Sequence, residues 1–186
     1  LGKDVAGNEY TTTIKSEAFY IDRTAPEVTI TAKDNKYGTA TNAVQSSKAV
    51  VTLRDDMTNP YSGLETGANI QYKWSTDGTN APTSGFSTAS LSYTGGAGIK
   101  TFEVDTPTTT DIWYLWVKPT TLKDRAGNQT STAAIKSAAF YIDRTAPTVT
   151  LDKTTAGAAD NAVYSSTVTV TLKDDGTTPY SGLKAG

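Results

Sequence analysis

The side chains in this sequence best suited to chemistry are its aspartates. Asp22, Asp55, Asp56 and Asp124, with Asn128 four residues on, are matched in part further along by Asp143, Asp174 and Asp175. They offer hard oxygen donors from separated segments. Ca²⁺ takes six to eight such ligands, whereas Mg²⁺ demands a tighter octahedron. Ca²⁺ is therefore the cofactor these residues point to, provided that the fold brings them together. A plainer reading stands beside it: Asp4 and Asp124 fix the turns ahead of AGN, Asp22 pairs with Arg23, and the remaining aspartates are solvated.

Other chemistry is thinly represented. The chain has 186 residues, 17 Lys and Arg against 19 Asp and Glu, no Cys and no His. The last two absences remove the usual zinc sites and Ser-His or Cys-His catalysis, and leave no disulfide to hold a small fold together. The carboxylates form no recognisable acid/base constellation, so no catalytic residue is assigned and the chain is expected not to be an enzyme. The glycine-rich TGGAG at 94–98 precedes a strand pattern and not a helix, so it is no phosphate loop. Balanced charge, with no basic patch, argues against nucleic acid as a partner. No apolar run reaches the ~18 residues of a membrane span. Tyr114 and Trp116 are expected to point outward near Lys73, forming either a platform for sugar rings or a local cation–π contact.

The elements that must position these groups are strands. Apolar residues alternate over short runs, and nothing recurs for long at helical spacing, which predicts an all-β sandwich or barrel. The runs are EVTI at 27–30, KAVVTL at 48–53, NIQYKWS at 69–75, ASLSY at 89–93, IKTFEV at 99–104, IWYLWVK at 112–118 and AFYID at 139–143. Inward residues are expected to be Val28 and Ile30; Ala49, Val51 and Leu53; Ile70, Tyr72 and Trp74; Trp113, Leu115 and Val117; and Phe140 and Ile142. Trp74, Trp113, Leu115 and Val51 are expected to be nearly fully buried.

The sequence repeats. KDVAGN at 3–8 returns as KDRAGN at 123–128, AFYIDRTAP at 18–26 returns unchanged at 139–147, and PYSGL at 60–64 returns at 179–183, a period of about 120 residues. Residues 68–121 occur once between the repeated stretches. The organisation expected is therefore residues 1–22 as the C-terminal part of one domain, 23–147 as a complete domain with its linkers, and 148–186 as the N-terminal part of a third. Val168, Val170 and Leu172 should then be more exposed than their equivalents Ala49, Val51 and Leu53.

The succession of a Trp on the third strand, a YLWVK strand, a D-x-AGN loop and a final FYIDRTAP strand-linker resembles bacterial immunoglobulin-like domains across the whole chain. The resemblance implies an immunoglobulin-like β-sandwich in a tandem array, as in giant adhesins and surface-layer proteins, located outside the cell or on the bacterial surface. It implies a structural or adhesive role and not a particular ligand. In such a sandwich the loops after the second and sixth strands lie at the pole where the preceding domain connects. There Asp55, Asp56, Asp124 and Asn128 would meet Asp22 of the linker. Some giant adhesins of this family hold Ca²⁺ between domains, which supports the same site here. The expected partners are adjacent repeats of the same polypeptide, and like chains in a surface layer or fibre. Two alternatives remain: a glycan- or receptor-binding module using Tyr114 and Trp116, and an accessory domain of a secreted hydrolase.

Overall fold

The computed structural model describes residues 2–33, 48–55, 60–152, 169–174 and 182–183. Among these there is no helix, and so none long and apolar enough to cross a membrane. In chain order the strands are β1 Glu27–Ala32, β2 Lys48–Arg54, β3 Ala68–Ser75, β4 Ser87–Leu91, β5 Ile99–Asp105, β6 Asp111–Pro119, β7 Ile135–Lys136, β8 Phe140–Ile142, β9 Thr148–Asp152 and β10 Thr169–Lys173.

Two antiparallel sheets make up the central repeat. One has the order β1-β2-β5; the other has the order β4-β3-β6-β7, with β8 also pairing to β6. The alternation in the sequence sets their registers. Val28 faces Leu53 and Ile30 faces Val51, while Val51 faces Phe102 and Ala49 faces Val104, so apolar rows run across the first sheet. In the second sheet Leu115 lies opposite Trp74 and Val117 opposite Tyr72. Slipping any strand by one residue would turn these rows to solvent, which is why the pattern specifies the pairing. Ala49, Val51, Leu53 and Val104 join Ile70, Leu115, Val117, Phe140 and Ile142 in one buried cluster, as in a β-sandwich. Leu64 and Leu122, from loops at one end, close it.

Leu115 and Val51 are fully buried as expected, but Trp74 and Trp113 are only half-buried. Each indole sits at the rim of the core because its N–H needs an acceptor. Trp74 Nε1 donates to the Asp105 carbonyl at 2.9 Å, bridging the two sheets, and Trp113 Nε1 donates to the Thr109 carbonyl at 3.3 Å. The Trp74 ring meets Phe140 edge-on, with centroids 5.0 Å apart.

The short strand β7 has no counterpart among the expected runs. Val117 pairs with Ile135 and Trp116 with Lys136, whereas Trp113 pairs with Phe140 and Ile112 with Tyr141. The register shifts by one residue between the two pairs of partners, the signature of a β-bulge. Ser137 staples the bulge. Its N–H donates to the Leu115 carbonyl at 2.9 Å, and its Oγ accepts from the Leu115 N–H at 2.9 Å. The extra residue reverses side-chain parity, so Ile135 and Phe140 both reach the core.

β9 and β10 pair with each other in a separate two-stranded sheet. Leu172 is 58% exposed where its equivalent Leu53 is 0% exposed, and Val170 is likewise more exposed than Val51. Val168 lies outside the described residues. Phe19 is 81% exposed against 6% for its equivalent Phe140. The same residues are core in one copy and surface in the other.

Candidate metal centre

Three segments converge at the end of the sandwich closed by Leu64 and Leu122. Asp22 comes from the segment leading into β1, Asp55 from the residue after β2, and Asp124 from the turn after β6. One carboxylate oxygen from each lies within 4.8 Å of those from the other two, and Asp55 and Asp124 are fully buried.

Local sequence holds each of them. Asp124 opens the D-x-A-G-N turn, with its Oδ1 accepting from the Asn128 N–H at 2.7 Å and its Oδ2 from the Asn128 side-chain amide at 2.6 Å. Gly127 supplies a φ of +91°, a conformation that side chains with a Cβ disfavour. The first copy forms the same turn: Asn8 donates through its backbone N–H to Asp4 Oδ1 at 2.9 Å and through its amide to Oδ2 at 2.8 Å. The turn is thus a property of its five residues, as the plainer reading of Asp4 and Asp124 held. Asp22 does not pair with Arg23 in an ion pair; its Oδ1 accepts from the Thr24 N–H at 3.0 Å and its Oδ2 from the Ser62 N–H at 2.8 Å. These bonds, Thr24 first and Ser62 next, hold the Asp22 carboxyl below the usual carboxylate range.

The loop that completes the site is PYSGL, seen in the sequence only as part of the repeat. Its consecutive amides donate to two of the three carboxylates: Ser62 N–H to Asp22, and Gly63 N–H to Asp55 Oδ2 at 2.5 Å. Ser62 Oγ accepts from the Ala126 N–H and the Gly63 carbonyl from the Arg125 N–H, tying the loop to the Asp124 turn. Gly63 has a φ of +77°, and a Cβ there would lie 2.5 Å from the Gly96 carbonyl oxygen. The TGGAG stretch is therefore a packing surface for PYSGL. An exact second copy of PYSGL was the available signal, but nothing in its residue types announces a carboxylate-binding loop.

No protein-family model, curated protein or solved structure matches this chain. What the centre can do follows from its own geometry. Ligands 2.3–2.6 Å from one Ca²⁺ lie at most about 5 Å apart, and the three carboxylate oxygens meet that limit. At Asp22 and Asp124 each amide bond occupies one lone pair of an oxygen that has two, so the hydrogen bonding leaves capacity for a cation. Two buried like charges at such a separation repel by about 3 kcal/mol at an effective dielectric near 20, which a divalent ion would reverse.

The remaining expected residues are placed differently. Asn128 turns its amide N–H₂ group to Asp124 Oδ2 and, at 3.2 Å, to the Asp22 carbonyl, so it orients the carboxylates and does not offer them a further oxygen. Asp56 and Asp175 lie outside the described residues. Asp143 is buried and accepts from the Thr145 N–H at 2.9 Å, repeating the Asp22–Thr24 turn; Asp174 is half-buried beyond β10. Neither belongs to a group of three carboxylates among the described residues.

Tyr114 and Trp116 do not form the exposed platform expected of them. Trp116 is only 6% exposed because the loop after β3 folds over it, and its Nε1 donates to the Asp77 carbonyl at 3.2 Å. Gly78 of the same loop packs on the Tyr114 ring. The ammonium that faces the two rings belongs to Lys136, at 5.2 and 5.9 Å from their centroids, while Lys73 donates to the Ser84 carbonyl.

Proposed function

We propose that this chain is a non-catalytic structural repeat of an extracellular bacterial surface protein, with immunoglobulin-like domains in tandem and junctions held by Ca²⁺. The observation that carries the reading is the meeting of Asp22, from the linker, with Asp55 and Asp124, from two loops of the following domain, within 4.8 Å. A cation there would bind linker and domain together, and bending at the junction would then require a ligand to be lost. The strand orders β1-β2-β5 and β4-β3-β6-β7 support the immunoglobulin-like part of the proposal, since they are those of the ABE and C′CFG sheets. The identical linkers at 18–26 and 139–147 support the spacer role, because an array needs one geometry at every junction. The covering of Trp116 removes the platform on which glycan stacking rested.

The test is calcium titration of the purified chain, followed by thermal unfolding. With the affinity usual for extracellular modules, a Kd on the order of 10⁻⁴ M, 10 mM Ca²⁺ should stabilise the chain by about 2.7 kcal/mol. EDTA should abolish the gain, and Asp124→Asn should remove the response to both. A melting temperature indifferent to calcium and chelator would end the metal part of the proposal and leave stiffness to Pro26, Pro147 and direct packing.

A further inference from the structure

The two copies of the linker are each seen from a different side. In the first, every described bond from the linker to loops elsewhere in the fold reaches the domain that follows. Asp22 Oδ2 accepts from the Ser62 N–H, the Asp22 carbonyl from the Asn128 amide, and the Pro26 carbonyl from Thr130 Oγ1 at 2.6 Å. In the second, the corresponding bonds reach the domain that precedes. The Arg144 N–H donates to Thr110 Oγ1 at 2.8 Å. Its guanidinium donates through Nη2 to Thr106 Oγ1 at 2.9 Å, and through Nε and Nη2 to the Pro107 carbonyl at 3.4 and 3.3 Å. Thr145 and Thr110 join their hydroxyls at 3.1 Å.

Both sets of linker residues occur in each copy. Asp22 corresponds to Asp143, Arg23 to Arg144 and Thr24 to Thr145, within an identical nine-residue stretch. The local backbone is also alike: Asp22 accepts from the Thr24 N–H at 3.0 Å, and Asp143 from the Thr145 N–H at 2.9 Å. One local turn therefore presents Asp to the domain that follows in the first copy and Arg to the domain that precedes in the second.

We infer that Asp-Arg-Thr is a two-sided clamp, and that the loop Thr106–Pro107–Thr110 of each repeat is the socket for the linker arginine that follows it. Arg23, exposed in this chain, is the plug for the matching socket of a preceding repeat. The clamp rests on the tandem reading proposed above, but not on calcium. Its partner is another copy of the repeat, recognised by the Thr106 hydroxyl and the Pro107 carbonyl, which match the planar guanidinium, and by the Thr110 hydroxyl, which takes the arginine backbone N–H. Each junction then has a fixed orientation before any ion binds.

Backbone ¹⁵N relaxation on the full 186-residue chain in EDTA tests both halves. Residues 144–146 and 22–25 should be ordered, with order parameters near 0.85. Arg144→Gln should lower the first group below about 0.6 and leave the second unchanged, while Asp22→Asn should do the reverse. Arg23→Gln should move neither group. Coincident backbone couplings for Asp22–Thr24 and Asp143–Thr145 are also required, since two different conformations could not hold both grips at once. Unchanged order in Arg144→Gln, or unlike couplings in the two linkers, overturns the clamp. A missing calcium response would sink the metal centre alone.

Discussion

Asp22 makes the carboxylate cluster sensitive to acid in a direction that can be worked out. Its folded carboxyl is held below the usual range by the bonds from Thr24 and Ser62, so the stabilisation it brings is complete above the unfolded value of about 3.9. That stabilisation fades as pH falls through the lower, folded value. Amide shifts of Thr24 and Ser62, followed from pH 6 to pH 2 without calcium, should therefore titrate with a midpoint below about 3.9. A midpoint above it would mean that repulsion from Asp55 and Asp124 outweighs the hydrogen bonds. At this scale the sequence was legible where chemistry and spacing coincide: Asp22, Asp55 and Asp124 are identifiable as oxygen donors that loops could gather. Ser62 and Gly63 were not, because a backbone N–H is the same in every residue but proline and leaves no trace in composition. Asn128 was visible as a polar neighbour, yet which end of its amide faces the carboxylates depends on a turn that only the folded chain displays.

Among the elements, Ser137 is where one side chain governs a strand. Replacing it by alanine would leave the Leu115 N–H without the acceptor at Oγ, in a part of the second sheet where water does not reach. The expected cost is about 1–3 kcal/mol, read as a lower urea midpoint with an unchanged slope. A strand with clean alternation, β2 above all, could be placed from the sequence because a period of two has one solution once a face is buried. β7 could not, since the bulge after it breaks that period. Trp116 was assigned to the outer face correctly, but its burial depends on the loop carrying Asp77 and Gly78, and alternation carries no information about what a loop covers.

At the scale of the whole molecule, repetition allows one residue type to be compared in two environments. Leu53→Ala should cost about 2–5 kcal/mol in denaturant unfolding, because it empties a fully buried site. Leu172→Ala, its equivalent, should stay within about 0.5 kcal/mol, as expected of a surface position. Equal effects would show that β9 and β10 share the cooperative core. The repeat itself was the most legible feature of the sequence, and it matched Asp22–Thr24 to Asp143–Thr145, which form the same local turn. What it could not supply was the Arg144 socket: Thr106, Pro107 and Thr110 stand in a run of threonines that resembles any polar loop.

The D-x-A-G-N turn forms with the same Asp–Asn hydrogen bonds at Asp4–Asn8 as at Asp124–Asn128, although only the second is flanked by the acidic cluster. A segment that needs no tertiary support is available before the chain has collapsed, whereas β2 must find β5 across some fifty residues. The turn should therefore be structured in the folding transition state, with distant pairing completed afterwards. Gly127→Ala, which forces a Cβ onto a φ of +91°, should destabilise by about 1–2 kcal/mol. Nearly all of that loss should appear as slower refolding and little as faster unfolding, a division that stopped-flow kinetics can measure.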